Sequence, residues 1–209
     1  MKKGWVVWGR LLIITVFCCA DSAVVWAPGA YQKCLYPLLI KKLKFGAHRR
    51  TVTPFVQVFF PPQDKVERLV CELIEEEPKQ IDITAFQLTN KKVAQAIINA
   101  HHRSINIRIV ADVSTLGRFN KVREIADEGV PVFIYPKAGI SENSLMHNKI
   151  ILLHGLGTIV TGSMNLTKAG MESNEENLLI MQYQPLFDEY ARHFNYLITR
   201  AQLFSYAHA

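Results

Sequence analysis

His147 and Lys149 stand two residues apart, Ser163 and Asn165 repeat that spacing further on, and Glu176 follows inside the run Asn174-Glu175-Glu176-Asn177. Together they offer an imidazole, an ammonium, a hydroxyl, an amide and a carboxylate. A phosphodiester needs a nucleophile for phosphorus, donors around its nonbridging oxygens and a proton for the departing alkoxide, and this set can supply them without a metal. Residues two apart on a strand project from the same face. The run Leu145 to Leu153 reads as a buried strand, so the His147 and Lys149 side chains are expected to point the same way. Ser163 and Asn165 come at the end of the apolar strand Thr158 to Thr161, and Glu176 comes just before a third apolar stretch, Leu178 to Met181.

The elements that must position these groups alternate along the chain. Phe55 to Phe60 reads as a strand stopped by Pro61-Pro62, and Gln63 to Glu76 has helical spacing, with Val66, Leu69, Val70, Leu73 and Ile74 on one face. Ile81 to Phe86 alternates as a strand, Asn90 caps a helix from Lys91 to His102, and Ile105 to Val110 is an apolar strand ending at Asp112. A short helix from Gly117 to Glu128, a strand from Val132 to Tyr135 and a loop from Gly139 to Asn143 precede the three motif-bearing strands, and a helix from about Pro185 to Phe204 closes the chain. This βαβαβ rhythm predicts an α/β domain with a central, mostly parallel or mixed β-sheet flanked by helices.

The formal net charge of +6 is unevenly placed. Residues 1–50 hold nine Lys/Arg against the single acid Asp21, so residues 51–209 carry a net charge of −2. The basic excess therefore says little about a polyanionic substrate for the catalytic part. Lys2, Lys3 and Arg10 precede the apolar run Leu11 to Ala20, and Cys18-Cys19-Ala20 offers small residues for cleavage. Residues 1–27 read as a signal peptide or an uncleaved membrane anchor, 28–53 as a basic linker and 54–209 as the catalytic domain, giving an exported, periplasmic or secreted, or membrane-anchored protein, with a mitochondrial membrane as the alternative. Lys41, Lys42, Lys44, Arg49 and Arg50 could hold anionic headgroups or nucleic acid at a membrane surface.

No cofactor or metal is expected. The four cysteines form no CxxC pair, and the ligands of a zinc site are not clustered. His101 and His102 diverge by about 100° on a helix and read as a solvated helix end. Arg118, Lys121 and Arg123 read as a solvated helix face. Phe86, Phe119 and Tyr135 are candidates for base stacking with no better standing than core residues, Gln87 and Thr89 are candidates to line a groove, and Asp112 is a candidate substrate contact at the end of its strand.

The ordered series His147-Asn148-Lys149, Gly162-Ser163-Met164-Asn165 and Asn174 to Asn177 resembles the phospholipase D superfamily, whose hallmark is H-x-K-x4-D followed by G-S-x-N and an N-x-E-N segment. The likeness extends over roughly residues 55–204 and is nearest to the small single-motif members, which include bacterial periplasmic or membrane-attached endonucleases and the mitochondrial enzyme acting on cardiolipin or RNA. One residue departs from the pattern. Where the family has Asp, this chain has His154. By strand parity position 154 faces away from the His147/Lys149 side, so the residue is expected to support the site rather than act in it.

The resemblance implies a phosphodiester hydrolase in which His147 forms a covalent phosphohistidine. Lys149 and Asn165 would hold the nonbridging oxygens, Ser163 would add a donor, and Glu176 would orient the imidazole. One histidine cannot be nucleophile and general acid at once, and a single-motif chain is accordingly expected to work as a homodimer with the two motifs meeting across a twofold axis. The leading expectation is a metal-independent endonuclease cutting DNA or RNA. The alternatives are a phospholipase acting on cardiolipin or another anionic phospholipid, and a non-catalytic relic that binds nucleic acid or lipid.

Overall fold

A computed structural model describes residues 54–117, 120–136, 140 and 144–205. The leader and linker expectations, Arg118, Phe119 and most of the Gly139 to Asn143 loop lie outside the described residues. Strand β1 (Phe55–Phe59) leads to helix α1 (Val66–Glu76), β2 (Gln80–Ala85), α2 (Lys91–His102) and β3 (Asn106–Asp112). A 3-10 turn, Val113–Leu116, precedes α3 (Val122–Asp127) and β4 (Val132–Tyr135). Then come β5 (Ile150–Leu153), β6 (Thr158–Gly162), α4 (Lys168–Glu172), β7 (Leu178–Gln182), α5 (Gln184–Thr199) and β8 (Gln202–Leu203).

The strands form one eight-stranded sheet in the order β1-β7-β6-β5-β2-β3-β4-β8. Among the strand pairs of this sheet β2 with β3 and β3 with β4 are parallel, and the others are antiparallel. The expected α/β fold is present, and its sheet is mixed for a reason of connection length. Helices α2 and α3 supply the long crossovers that parallel pairing needs, whereas the turn Gly155-Leu156-Gly157 can only reverse the chain into an antiparallel hairpin. Gly157 has φ +58°, a left-handed conformation that glycine adopts without steric cost.

Two apolar layers sandwich the sheet. On one face Val66, Leu69, Val70, Leu73 and Ile74 of α1 and Val93, Ile97 and Ala100 of α2 pack over Ile81, Ile83, Ile107, Ile109, Ile151 and Leu153. The α1 positions are those of its helical stripe, and each such burial contributes roughly 1.5–3 kcal/mol before entropy. On the other face Phe187, Phe194 and Leu197 of α5 cover Val110, Ile150, Leu152, Ile159 and Met181. Asn90 caps α2 as expected, its side chain accepting from the backbone N–H groups of Lys92 and Val93.

Three boundaries differ from the sequence reading. The helix expected from Gly117 is a 3-10 turn through Leu116 and a helix from Val122, because the Asp112 side chain caps the turn and Asn120 Oδ1 accepts from Val122 N at 2.7 Å. The last helix ends at Thr199, after which Gln202 and Leu203 pair with Ile134 and Phe133. The strand expected from Leu145 begins only at Ile150. Helix α4, absent from the sequence reading, starts at Thr167, whose hydroxyl accepts from Gly170 N.

Candidate active site

Strand register brings the three motif segments abreast. Ile150 pairs with Thr161 across β5 and β6, and Gly162 pairs with Leu178 across β6 and β7. Lys149, Gly162-Ser163 and Asn177 therefore lie side by side at one end of the sheet. The Thr161 hydroxyl ties the row by donating to the Lys149 carbonyl at 2.9 Å. Gly162 is required by this closeness, since a Cβ there would collide with the backbone carbonyl of Asn177.

His147 and Lys149 sit just ahead of β5, so strand pleating does not hold them together. Contacts do. The Lys149 Nζ donates to the His147 carbonyl at 2.8 Å and lies 3.3 Å from Nδ1 and 3.4 Å from Nε2 of the imidazole. Phe86, leaving the end of β2, packs its ring 4.4 Å from that of His147, and the Lys149 ammonium lies 5.2 Å from the same phenyl ring. Of the aromatic candidates among the described residues, Phe86 is at the site and Tyr135 is buried in the second core layer. His147 is exposed while Lys149 is only 9% exposed. Burial pushes the Lys149 pKa below the ordinary lysine value, and the nearby charge of Glu176 partly opposes that fall.

Glu176 is placed differently from expectation. The Ser163 hydroxyl donates to its Oε2, and Asn174 Nδ2 donates to its Oε1 at 3.3 Å. Its hydrogen bonds thus go to Ser163 and Asn174 rather than to the imidazole of the same chain, and its charge acts on Lys149. Asn177 closes the network, accepting from Ser163 N and donating its own N–H to Ser163 Oγ, each at 3.1 Å. Asn165 lies beyond Ser163, and its Oδ1 is buried with no partner among the described residues. Its neighbour Leu166 donates to the Gln87 carbonyl at 3.1 Å, which anchors this segment to the loop after Phe86.

Asp112 is fully buried, with both carboxylate oxygens engaged. Oδ1 accepts from Ser114 N at 3.0 Å and Ser114 Oγ at 2.6 Å, and Oδ2 accepts from Met146 N at 2.7 Å. It is therefore a clamp on the segment carrying His147 and not the substrate contact proposed from sequence. Nothing in the sequence linked Asp112 to Met146, because the bond crosses from β3 to a distant irregular segment.

His154 lies at the opposite end of β5, on the α5 face of the sheet, as parity predicts. Its Nε2 is 2.8 Å from Asp82 Oδ2, and its ring meets Phe187 edge-on at 5.0 Å. Asp82 is 1% exposed and accepts a two-pronged bond from Arg108, Nε to Oδ1 at 2.8 Å and Nη2 to Oδ2 at 2.7 Å. Burial alone would raise the Asp82 pKa, but the hydrogen bonds from His154 and Arg108 and the Arg108 charge hold it below the usual carboxylate value. The replacement of the family's Asp by His thus leaves a charged cluster whose carboxylate comes from β2, remote from His147.

The fold has counterparts among known proteins. The profile of a family described as cardiolipin synthase, PLD-like domain, matches residues 70–198. The chain belongs to that PLD-like family. A phospholipase D of Rickettsia conorii is 29% identical over 136 residues, covering 65% of this chain and 65% of the relative. Human mitochondrial cardiolipin hydrolase is 27% identical over 119 residues, covering 54% of this chain and 42% of that protein. These matches thus span less than two thirds of the relatives' length. Among solved structures, Nuc of Salmonella typhimurium, described as a phospholipase D family member, superposes with a TM-score of 0.64 at 26% identity, covering 72% of this chain and 98% of Nuc. NucT of Helicobacter pylori shares the fold, with a TM-score of 0.66 at 16% identity. The PLD-like domain here carries its imidazole, ammonium, hydroxyl and carboxylate at one sheet end, with His154 set apart from them.

Proposed function

We propose that this protein is a metal-independent phosphodiester hydrolase that cleaves nucleic acid through a phosphohistidine intermediate. The observation that carries the proposal is the exposed His147 imidazole with the buried Lys149 ammonium 3.3 Å from its ring. An imidazole nitrogen attacks phosphorus, the P–N bond forms and the bond to the leaving oxygen breaks. Lys149 is placed to neutralise charge on the nonbridging oxygens as it accumulates. The Asn165 side-chain NH2 is the further donor to those oxygens. Glu176 acts at one remove, holding Ser163 and keeping Lys149 charged.

The leaving alkoxide needs a proton that the attacking imidazole cannot give. A second His147, from another copy across a twofold axis, supplies it and then activates the water that hydrolyses the P–N bond. The nucleic-acid reading draws on the similarity to Nuc, nearly all of whose length is covered. The second reading, an anionic phospholipid, is favoured by the relatives named phospholipase D and cardiolipin hydrolase. It is favoured too by Leu145, 58% exposed beside His147, and Phe60, 52% exposed next to the Pro61 carbonyl that accepts from Glu176 N.

The test is turnover of labelled single-stranded DNA, duplex DNA, RNA and cardiolipin vesicles by the full chain in excess EDTA, beside His147→Ala. Nucleic-acid cleavage that persists in EDTA and disappears in the variant is the expected result. Cleavage of cardiolipin alone would replace the nuclease by the phospholipase, and loss of all activity in EDTA would remove the metal-free mechanism.

A further inference from the structure

A groove of about 710 Å³ opens between the start of α2 and α3, lined by Thr89, Lys91, Asn120, Lys121, Arg123 and Glu124, with Asp127 and Glu128 at its far end. Its volume is that of a small-ligand site. It is joined to the catalytic end of the sheet. Phe86 packs on His147, and Thr89 lies three residues on, a span of at most about 11 Å. The Thr89 and Asn90 N–H groups both donate to the Leu166 carbonyl at 3.0 Å, next to Asn165, and Lys121 N donates to the Leu88 carbonyl at 2.8 Å. Both walls of the groove are thus sewn to the loop that leaves the site.

The groove carries three cations and three carboxylates, and the cations are not all paired. Lys121 pairs with Glu124, and Glu128 lies 3.1 Å from the His102 imidazole. Lys91 and Arg123 have no carboxylate partner among the described residues; the Arg123 guanidinium lies 5.7 Å from the Phe204 ring. The Asn120 side-chain Oδ1 accepts from Val122 N, so the polar group that side chain has left to offer is its NH2 donor. At the start of helix α2 Lys92 is paired with Glu67, which also accepts from the Asn90 side chain at 2.8 Å, while Lys91 is left to face the groove.

Resting on the nucleic-acid reading above, we infer that this groove binds backbone phosphates flanking the scissile one, through Lys91, Arg123, Thr89 and Asn120. A polynucleotide carries further phosphates to this distance along its strand, and a small diester does not. Arg123, which the sequence presented as part of a solvated helix face, then belongs to the substrate track.

The test compares the full chain with Lys91→Ala/Arg123→Ala on a long labelled oligonucleotide and on bis-p-nitrophenyl phosphate, over a range of NaCl concentrations. The double variant is expected to raise KM for the oligonucleotide about tenfold at unchanged kcat, and to reduce the log–log salt slope of kcat/KM by about 1.4, roughly 0.7 for each lost phosphate contact on a single strand. The small diester should be hydrolysed as before, and Lys91→Arg/Arg123→Lys should restore the slope. An oligonucleotide-cleaving wild type whose KM and salt slope survive the double substitution would overturn the groove and leave the nuclease standing. Equal loss on the small diester would also overturn it, marking a structural effect. A wild type that hydrolyses the small diester or cardiolipin vesicles but no oligonucleotide would defeat the nucleic-acid reading and the groove with it.

Discussion

At the residue scale the proposed mechanism requires the buried Lys149 to be charged. Its lowered pKa should bring the alkaline limb of kcat/KM below the ordinary lysine range, since the phosphate-holding form would be lost as pH rises through that value. Glu176 opposes the fall, so Glu176→Gln should shift the limb further toward neutrality; a pH–rate profile in which the limb stays put or moves upward would refute the coupling. Asp112 acts on the backbone. Asp112→Ala strands the buried Met146 N–H, at about 1–3 kcal/mol, and releases the segment bearing His147. We expect kcat to fall with KM little changed, and unchanged kcat in the folded variant would show that the clamp does not position His147.

At the scale of elements, the Arg108–Asp82–His154 cluster joins β2, β3 and β5 to the underside of α5. Arg108 also lies 5.0 Å from the Phe194 ring and 3.2 Å from Asn195 Oδ1, both on α5. His154→Asp restores the family residue yet sets a second carboxylate against Asp82, and should destabilise the fold by on the order of 3 kcal/mol. The pH dependence separates the two proteins. Asp82 has a depressed folded pKa, so in the wild type its contribution is present above the unfolded carboxylate value and lost as pH falls through the folded one. In His154→Asp the facing carboxylates share a proton, and mild acid should stabilise rather than weaken. Urea midpoints measured across that range would show the opposite slopes, and parallel slopes would mean that Asp82 and residue 154 do not interact.

At the scale of the whole molecule, one chain provides one His147, while the proposed mechanism uses two imidazoles, one for attack and one for leaving-group protonation. Catalysis should therefore depend on assembly. Specific activity is expected to fall on dilution, and His147→Ala added in excess to wild type should suppress wild-type turnover by forming mixed dimers. Activity strictly proportional to wild-type concentration in the presence of the variant would show that a single chain suffices. Among the described residues no helix is long and apolar enough to cross a membrane.

Local patterns were legible along the chain because they depend on near neighbours. The apolar stripe of α1, the Asn90 cap, the strand Val132–Tyr135 and the even spacing within each motif follow from periodicity and capping, and they determined the α/β class and the candidate set. Contacts between distant segments were not legible. Glu176 bonds to Ser163 through the register of β6 and β7, Asp112 reaches Met146 across the end of the sheet, and Asp82 meets His154 from an adjacent strand. Each of these depends on which strands become neighbours, and that order is set by how the whole chain buries its two apolar layers. The residue types available for chemistry were therefore determined by the sequence alone, while the partner each one holds was decided only when the sheet closed around them.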